Sequence, residues 1–355
     1  MLKRKRFLTL FLPIQIILVN WLSLYPDFIE KYYSNGFYPY ISSFFRIILG
    51  WIPFSLGDLL LLIALIYIIV SIFRFIKTKP RKYITAFFNI GSTLSILYFC
   101  FYLFWGLNYY RNPLQKSMKI KIPKYDIEEL TFLTEKLLMK TQEIHFKLTQ
   151  NDTIPVQTVF TQTELLNKTI NGYDFLAKKH PQFTYNYPIV KKSIFSTPMS
   201  YAGFSGYLNP LTGEAHVNYN SLDFNIPATA SHEVAHQIGY ANESEANFIG
   251  YLAAINNPDL LFQYSGYLMA LQYSLTNVYR ADKELYKEIN NRLPIGVKKN
   301  LSDNFKQFKK YKNPLKPYFH KVYSLFLKAN HQKDGMKSYG KMVGLLIAYE
   351  NSKQS

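Results

Sequence analysis

The distribution of apolar residues divides the chain sharply. Three stretches near the start are apolar almost without interruption: FLTLFLPIQIILVNWLSLY from Phe7 to Tyr25, LLLLIALIYIIVSIF from Leu59 to Phe73, and ITAFFNIGSTLSILYFCFYLFWGL from Ile84 to Leu107. A bilayer span needs about 20 mainly apolar residues. The first and third runs meet that requirement; the second reaches it with its flanks, bordered by Gly57-Asp58 and with Arg74 snorkelling to the interface. The pattern predicts three transmembrane helices, at 7–25, 57–76 and 84–107. The first run has the basic start and apolar core of a signal peptide, but bulky WLSLYPDF follows it where small residues would mark cleavage. It reads as an uncleaved anchor.

Beyond Asn108 the pattern becomes that of a folded polar domain. DIEELTFLTEKLLMKTQEIHFKL, residues 126–148, has helical periodicity with an acidic first turn and later lysines. A polar break, TQNDTIP, precedes a shorter helix around Leu165–Lys179. Residues 183–220 switch to Tyr, Gly, Pro and alternating patterns. There GFSGYL, a turn at Asn209–Gly213 and EAHVNYN predict a β-hairpin or a pair of short strands. From Pro227 onward the pattern is again helical. A late apolar stripe in LKANHQKDGMKSYGKMVGLLIAY is interrupted by Lys333, Lys337 and Lys341 and reads as packing, not as a fourth span. The expected class is mainly α: a membrane domain over 1–107, then an α-rich α+β domain over 108–355 with a small hairpin or sheet.

Charge changes this picture by giving it an orientation. The formal net charge is +18. Lys3, Arg4, Lys5 and Arg6 open the chain, and Arg74, Lys77, Lys79, Arg81 and Lys82 lie between the second and third spans. The loop from Pro26 to Asp58 holds only Lys31 and Arg46. The positive-inside rule puts the two clusters in the cytoplasm and everything after the third span outside it. Within the outer loop, YISSFFRIILGWIPFSLGD reads as interfacial. No nucleic-acid module accompanies the basic residues, so no nucleic-acid partner is expected. The single cysteine, Cys100, lies in an apolar run and excludes an intramolecular disulfide or a thiolate metal cluster within one chain.

Candidate chemistry lies in ATASHEVAHQIGYANESEANFIGYLA, residues 228–253. His232-Glu233-Val234-Ala235-His236 is an HExxH motif. On a helix its imidazoles, four positions apart, share a face and converge on one ion, while Glu233 reaches a water without ligating. Pro227 suits a first turn, Thr229 or Ser231 offers a cap, and Gly239 offers a stop. A catalytic zinc needs a third protein ligand and an open fourth position. Asn242 stands where a third histidine would complete one known pattern, and an amide is a poor zinc ligand. Glu243 and Glu245 are the carboxylates available. If Asn242 caps the next helix, Glu245 falls at the third position and folds back onto the cap, leaving Glu243 freer to ligate. Asn247, one turn on, is placed to hold a ligand histidine. Ala246 and Gly250 allow this helix a close approach to the first. Tyr207, His216, Tyr267 and Tyr339 are candidate oxyanion donors, and His216 is also an alternative ligand. His145, His180, His320 and His331 have no partner in the local pattern and read as surface residues. The segment 203–219 offers an edge strand that could pair with an extended peptide.

HExxH followed by ExxA[DN] on a second helix, here Glu243 to Asn247, resembles the gluzincin group of zinc metallopeptidases, which implies a zincin-like fold for residues 108–355. That resemblance implies zinc ligation by His232, His236 and Glu243, with Glu233 as general base and Asn247 as supporting residue. The spacer before Glu243 is shorter than is usual for the group, which keeps Glu245 and Asn242 open as alternatives. A resemblance covering most of the chain rests on the three spans, WGLNYYR, NPLTGEAHVNYN, HEVAHQIGYANESEANF and KSYGKMVGLL. These are similar to a bacterial membrane-protein family, mostly from Bacteroidetes, known as domain of unknown function 3810. It implies a peptidase-like domain at the inner membrane and no known substrate. The expected function is a membrane-anchored zinc metallopeptidase of the endopeptidase type, acting on peptide or protein. The alternative is a non-catalytic zinc-dependent envelope protein that binds peptide or envelope components.

Overall fold

The computed structural model describes residues 2–76, 83–122, 124–332 and 339–353. The chain forms two compact units: Met1–Asn112 with Asn209–Glu214, and Pro113–Leu208 with Ala215–Ser355.

The first unit contains α1 (Leu2–Leu22), α2 (Tyr38–Gly50), α3 (Leu56–Ile76) and α4 (Tyr83–Phe104). Three segments, Leu2–Leu22, Leu56–Phe73 and Tyr83–Phe104, are long and apolar enough to cross a membrane. They coincide with the three apolar runs. α1 and α4 approach closely where Gly91 faces Thr9, and the buried Gln15 amide donates to Ser95 Oγ at 3.1 Å. The loop between the first two spans is helical rather than irregular. A π-helical segment, Ile29–Phe37, runs into α2, and the Tyr33 hydroxyl donates to the Leu103 carbonyl at 3.0 Å. The Arg111 guanidinium grips both oxygens of Glu30 at 3.0 and 2.7 Å, the bidentate geometry arginine provides. Glu214 accepts from the backbone N–H groups of Gly57 (2.5 Å) and Leu56 (3.2 Å), placing a negative charge at the start of α3. The basic cluster Lys77, Lys79, Arg81 and Lys82 lies outside the described residues, as do the side chain of Arg74 and Lys333 and Lys337.

The second unit contains α5 (Ile127–Thr149), α6 (Gln162–Lys179), β1 (Val190–Lys192), β2 (Gly206–Leu208), β3 (Ala215–Val217), α7 (Ile226–Gln237) and α8 (Glu243–Asn256). It continues with α9 (Leu260–Ala281), α10 (Lys283–Asn291), α11 (Ile295–Lys310), α12 (Lys316–Ala329) and α13 (Tyr339–Ser352). Helices dominate, as the pattern predicts. α5 and α6 each open on a reciprocal capping box, Asp126 with Glu129 and Thr161 with Glu164. The second box starts α6 a turn earlier than its apolar periodicity alone suggests.

The sheet is small, in the order β1-β3-β2. β2 and β3 form the expected antiparallel hairpin, with Tyr207 opposite His216. β1 adds a parallel strand on the other side of β3, with Lys191 opposite His216. The hairpin pattern did not reveal β1, whose three residues are too few for a period of two to register. β3 is therefore central, and β2 is an edge.

The core closes around α8, whose residues from Glu243 to Ala254 are all buried. Phe248, Ile249 and Leu252 anchor it, each contributing about 1.5–3 kcal/mol on burial. α13 joins this core through Met342, Val343, Leu345 and Leu346, and Tyr349 meets Phe248 edge-on at 5.6 Å. This late apolar stripe packs, as its lysine interruptions suggest. His145 departs from the sequence expectation of a surface residue. It is fully buried, and its Nε2 pairs with the Ile154 carbonyl at 2.9 Å.

Candidate metal centre

The HExxH motif sits on α7, a helix held from several sides. Its capping is not the expected one: Asn225 at the N-cap turns its amide to Asn304 Oδ1 at 2.6 Å instead of capping the helix, and the Ala228 N–H donates to Ser265 Oγ of α9 at 3.0 Å. The Tyr173 hydroxyl of α6 donates to the Ser231 carbonyl at 2.5 Å. At the far end Tyr185 donates to Gln237 Oε1 at 2.6 Å, and Gln237 Nε2 donates to the Ile189 carbonyl at 3.0 Å. These buried bonds fix the helix in axial position and rotation, so the face bearing His232 and His236 is set by its neighbours.

Gly239 ends the helix as its position suggests. It takes φ 95°, the left-handed region that glycine enters without a Cβ clash. The turn lets the Tyr240 N–H reach the Ala235 carbonyl at 3.0 Å and points the Tyr240 carbonyl at His236 Nδ1, 2.7 Å away. An Nδ1–H donated to a carbonyl leaves Nε2 as the lone-pair nitrogen, the form a metal ligand needs.

Asn242 then caps α8, accepting from the N–H groups of Ser244 (2.9 Å) and Glu245 (3.3 Å). The two carboxylates separate at once. Glu243 turns inward, its Oε2 3.5 Å from His232 Nε2 and 3.7 Å from His236 Nε2. Glu245 turns away and accepts the Leu114 N–H at 2.8 Å, at the start of the short helix Leu114–Met118, in place of a capping box on Asn242. The close approach of α7 and α8 depends on Gly250: a Cβ there would lie 2.8 Å from the backbone nitrogen of His232 and 2.9 Å from its Cα.

These separations fit a metal. Donors at about 2.0–2.2 Å from one tetrahedral ion stand about 3.4 Å apart. The two Glu243–imidazole distances are close to that edge. Ligand atoms of His232, Glu233 and His236 also lie within 4.8 Å of one another. Two carboxylates thus border the imidazole pair. Glu233 is 4% exposed and its Oε2 has no hydrogen-bond partner. The edge strand confines it, since a Cβ on Gly206 would fall 2.8 Å from both Cγ and Cδ of Glu233.

The electrostatics follow from burial and proximity. Burial, opposed by the two imidazoles and reinforced by Glu243, pushes the Glu233 carboxyl up to about 6. Burial alone would depress His236, but the neighbouring carboxylate of Glu243, and then Glu233, raise it to about 9. Burial of Glu243 is likewise overcome by the imidazoles, which hold it well below the usual carboxylate range. The cluster is therefore one that favours a positive charge between Glu243 and the histidines, supplied by a proton or by a divalent cation.

Asn247 is buried, beside the Tyr273 hydroxyl rather than on a histidine, and its Nδ2 lacks a hydrogen-bond partner. His232 Nδ1 is likewise without one. Tyr323 was not singled out by any motif. It reaches across from α12 and donates its hydroxyl to Glu243 Oε1 at 2.6 Å. Tyr323 and His320, one turn apart, pack against Phe204, with ring centroids 5.2 and 6.2 Å away. Among the other candidates, Tyr207 stacks on the buried His216 at 4.5 Å, and Tyr267 meets Tyr251 edge-on at 5.9 Å. The Tyr339 side chain lies outside the described residues.

A family model described as "Protein of unknown function (DUF3810)" matches residues 33–347. No curated protein and no solved structure matches the chain.

Proposed function

That match covers most of the chain, which therefore belongs to this family of unknown function, and from the geometry of its own site we propose that it is a membrane-anchored zinc metallopeptidase. One observation carries the reading: Glu243 Oε2 lies 3.5 and 3.7 Å from the two HExxH imidazoles, with the partnerless Oε2 of buried Glu233 beside them. His232, His236 and Glu243 would hold the zinc. When bound, zinc supplies Lewis acidity and lowers the pKa of water towards about 7.

The remaining work falls to the chain's own groups. Glu233, with a carboxyl raised to about 6, is matched to accepting a proton near neutral pH and returning it to a leaving amine. Gly206 keeps that carboxylate from swinging away. β2, paired on one side only, offers its other edge to the backbone of an extended peptide. Orientation follows the distribution of lysine and arginine: the start of the chain in the cytoplasm, the catalytic unit on the opposite side of a bacterial inner membrane.

The rival reading is a zinc-dependent envelope protein that binds without cutting. Glu233 speaks against it, because a closed structural site has no use for a buried carboxylate that is not a ligand. The deciding experiment measures zinc content and hydrolysis of a mixed peptide library by the full chain in detergent, as wild type, His236→Ala and Glu233→Gln. We expect about one zinc per chain in wild type and Glu233→Gln, loss in His236→Ala, and hydrolysis by wild type alone. Folded wild type without zinc overturns the metal site. Zinc with no hydrolysis by wild type leaves the binding reading in its place.

A further inference from the structure

Helix α12 carries its apolar face outward. Leu315, Tyr318, Phe319, Val322, Leu325 and Phe326 recur at helical spacing and are 39–68% exposed, whereas Leu327 is fully buried. An ordinary surface helix turns its apolar stripe to the core. Here the core-facing side bears His320 and Tyr323 instead, packed on Phe204. The preceding helix α11 extends the greasy surface with Phe305 and Phe308, 56% and 52% exposed.

Charge identifies the occupant. Between Ile295 and Ala329 the chain has nine lysines and a single acidic residue, Asp303. Lys309 sits over the Phe305 ring at 4.5 Å and Lys316 over Phe308 at 4.0 Å, so cations flank the aromatic surface directly. A contiguous exposed apolar patch marks an interaction site. A protein groove would account for the stripe but not for so one-sided a charge. An anionic lipid surface accounts for both: apolar side chains enter the acyl boundary, aromatic rings sit at headgroup level, and lysines reach the phosphates. The chain itself tethers the second unit to a membrane, since the last membrane-length helix ends at Phe104 and the second unit opens at Pro113.

We propose that α11 and α12 seat in the interfacial layer of an anionic bilayer through this face. The assignment is independent of zinc. It is tested on the full chain with Cys100→Ser as background and a single cysteine introduced by Val322→Cys or Leu325→Cys, labelled with an environment-sensitive fluorophore. Lys287→Cys on α10, whose native side chain is 65% exposed, is the control position. The labelled chains are placed in nanodiscs of neutral or mixed neutral and anionic phospholipid containing a doxyl-lipid quencher. We expect a blue shift and strong quenching at positions 322 and 325 in anionic discs, and little at 287. Quenching should weaken in high salt and in the triple charge reversal Lys309→Glu, Lys310→Glu, Lys312→Glu. Labels at 322 and 325 quenched no more than at 287 would overturn the proposal. So would a blue shift without lipid quenching, which would mean that protein covers the face, or quenching indifferent to anionic lipid and to the lysine reversal.

Discussion

The Tyr323 hydroxyl holds Oε1 of Glu243 at 2.6 Å, and this leaves Oε2 as the oxygen that faces both imidazoles. The carboxylate is thereby oriented before any cation arrives. Tyr323→Phe removes the donor while keeping the ring on Phe204. Zinc affinity should fall by about 10–100-fold, the usual cost of losing a group that orients a metal ligand. Competition against a chromophoric chelator measures it, and an unchanged affinity would show that Glu243 is oriented by its helix alone.

Gly206 and Glu233 make a second pair whose separation matters. A methyl group at 206 must displace either the strand or the carboxylate. Gly206→Ala should therefore retain zinc and lose at least about tenfold in kcat, since a misplaced general base forfeits part of a contribution of about 10²–10⁴. Steady-state hydrolysis alongside metal analysis separates the two effects. Full activity in this variant would mean that Glu233 is not confined by β2.

Glu245 is expected to behave as a structural neighbour of the site. Glu245→Ala leaves the buried Leu114 N–H without its 2.8 Å acceptor, a loss of about 1–3 kcal/mol. Thermal unfolding should shift downward while zinc content stays near one per chain. Loss of zinc with unchanged stability would exchange the roles assigned to Glu243 and Glu245.

A pH-dependent contribution is expected at the end of α13. Glu350 is buried, which by itself raises a carboxyl, but hydrogen bonds from Lys136 and Lys353 outweigh burial and lower it from its ordinary 4.5. A carboxyl lowered in the folded state stabilises above its unfolded pKa, and that stabilisation is lost as pH falls through the folded value. Glu350→Gln should cost about 0.5–1 kcal/mol at neutral pH, the range for partly exposed pairs. Its gap from wild type should close in acid below the ordinary carboxylate range. Unfolding curves recorded across that range provide the check, and a constant gap would assign the cost to packing.

What could be read in the sequence was what a short window determines. The three apolar runs, the i and i+4 imidazoles of His232 and His236, the glycine stop at Gly239 and the Asn242 cap are all local, and each occupies the place its spacing suggests. So is the choice between Glu243 and Glu245, which occupy the first and third positions after the cap. What escaped notice depends mostly on chain far away. Ser265 replaces the expected local cap, and Leu114 draws Glu245 off; Tyr240, only four positions from His236, gives it a backbone carbonyl in the role expected of Asn247. Tyr323 is one tyrosine among 30, 80 positions from its acceptor, with no periodic signal to distinguish it. Nine of the lysines that look scattered along the chain fall between Ile295 and Ala329, beside an outward apolar stripe.

The turn at Gly239 has a consequence for the order in which the molecule forms. It brings His232, His236 and Glu243 together within a single helix–turn–helix segment, so little loop-closure entropy opposes their meeting. Gly206 and Tyr323, by contrast, must return across long stretches of chain, the slow kind of contact in folding. A nascent chain therefore gathers its cation-binding donors early and acquires the strand and tyrosine that confine Glu233 and Glu243 late. If the proposed peptidase reading holds, hydrolytic competence would be a property of the finished fold, and a polypeptide still emerging or still half-assembled would be spared from it.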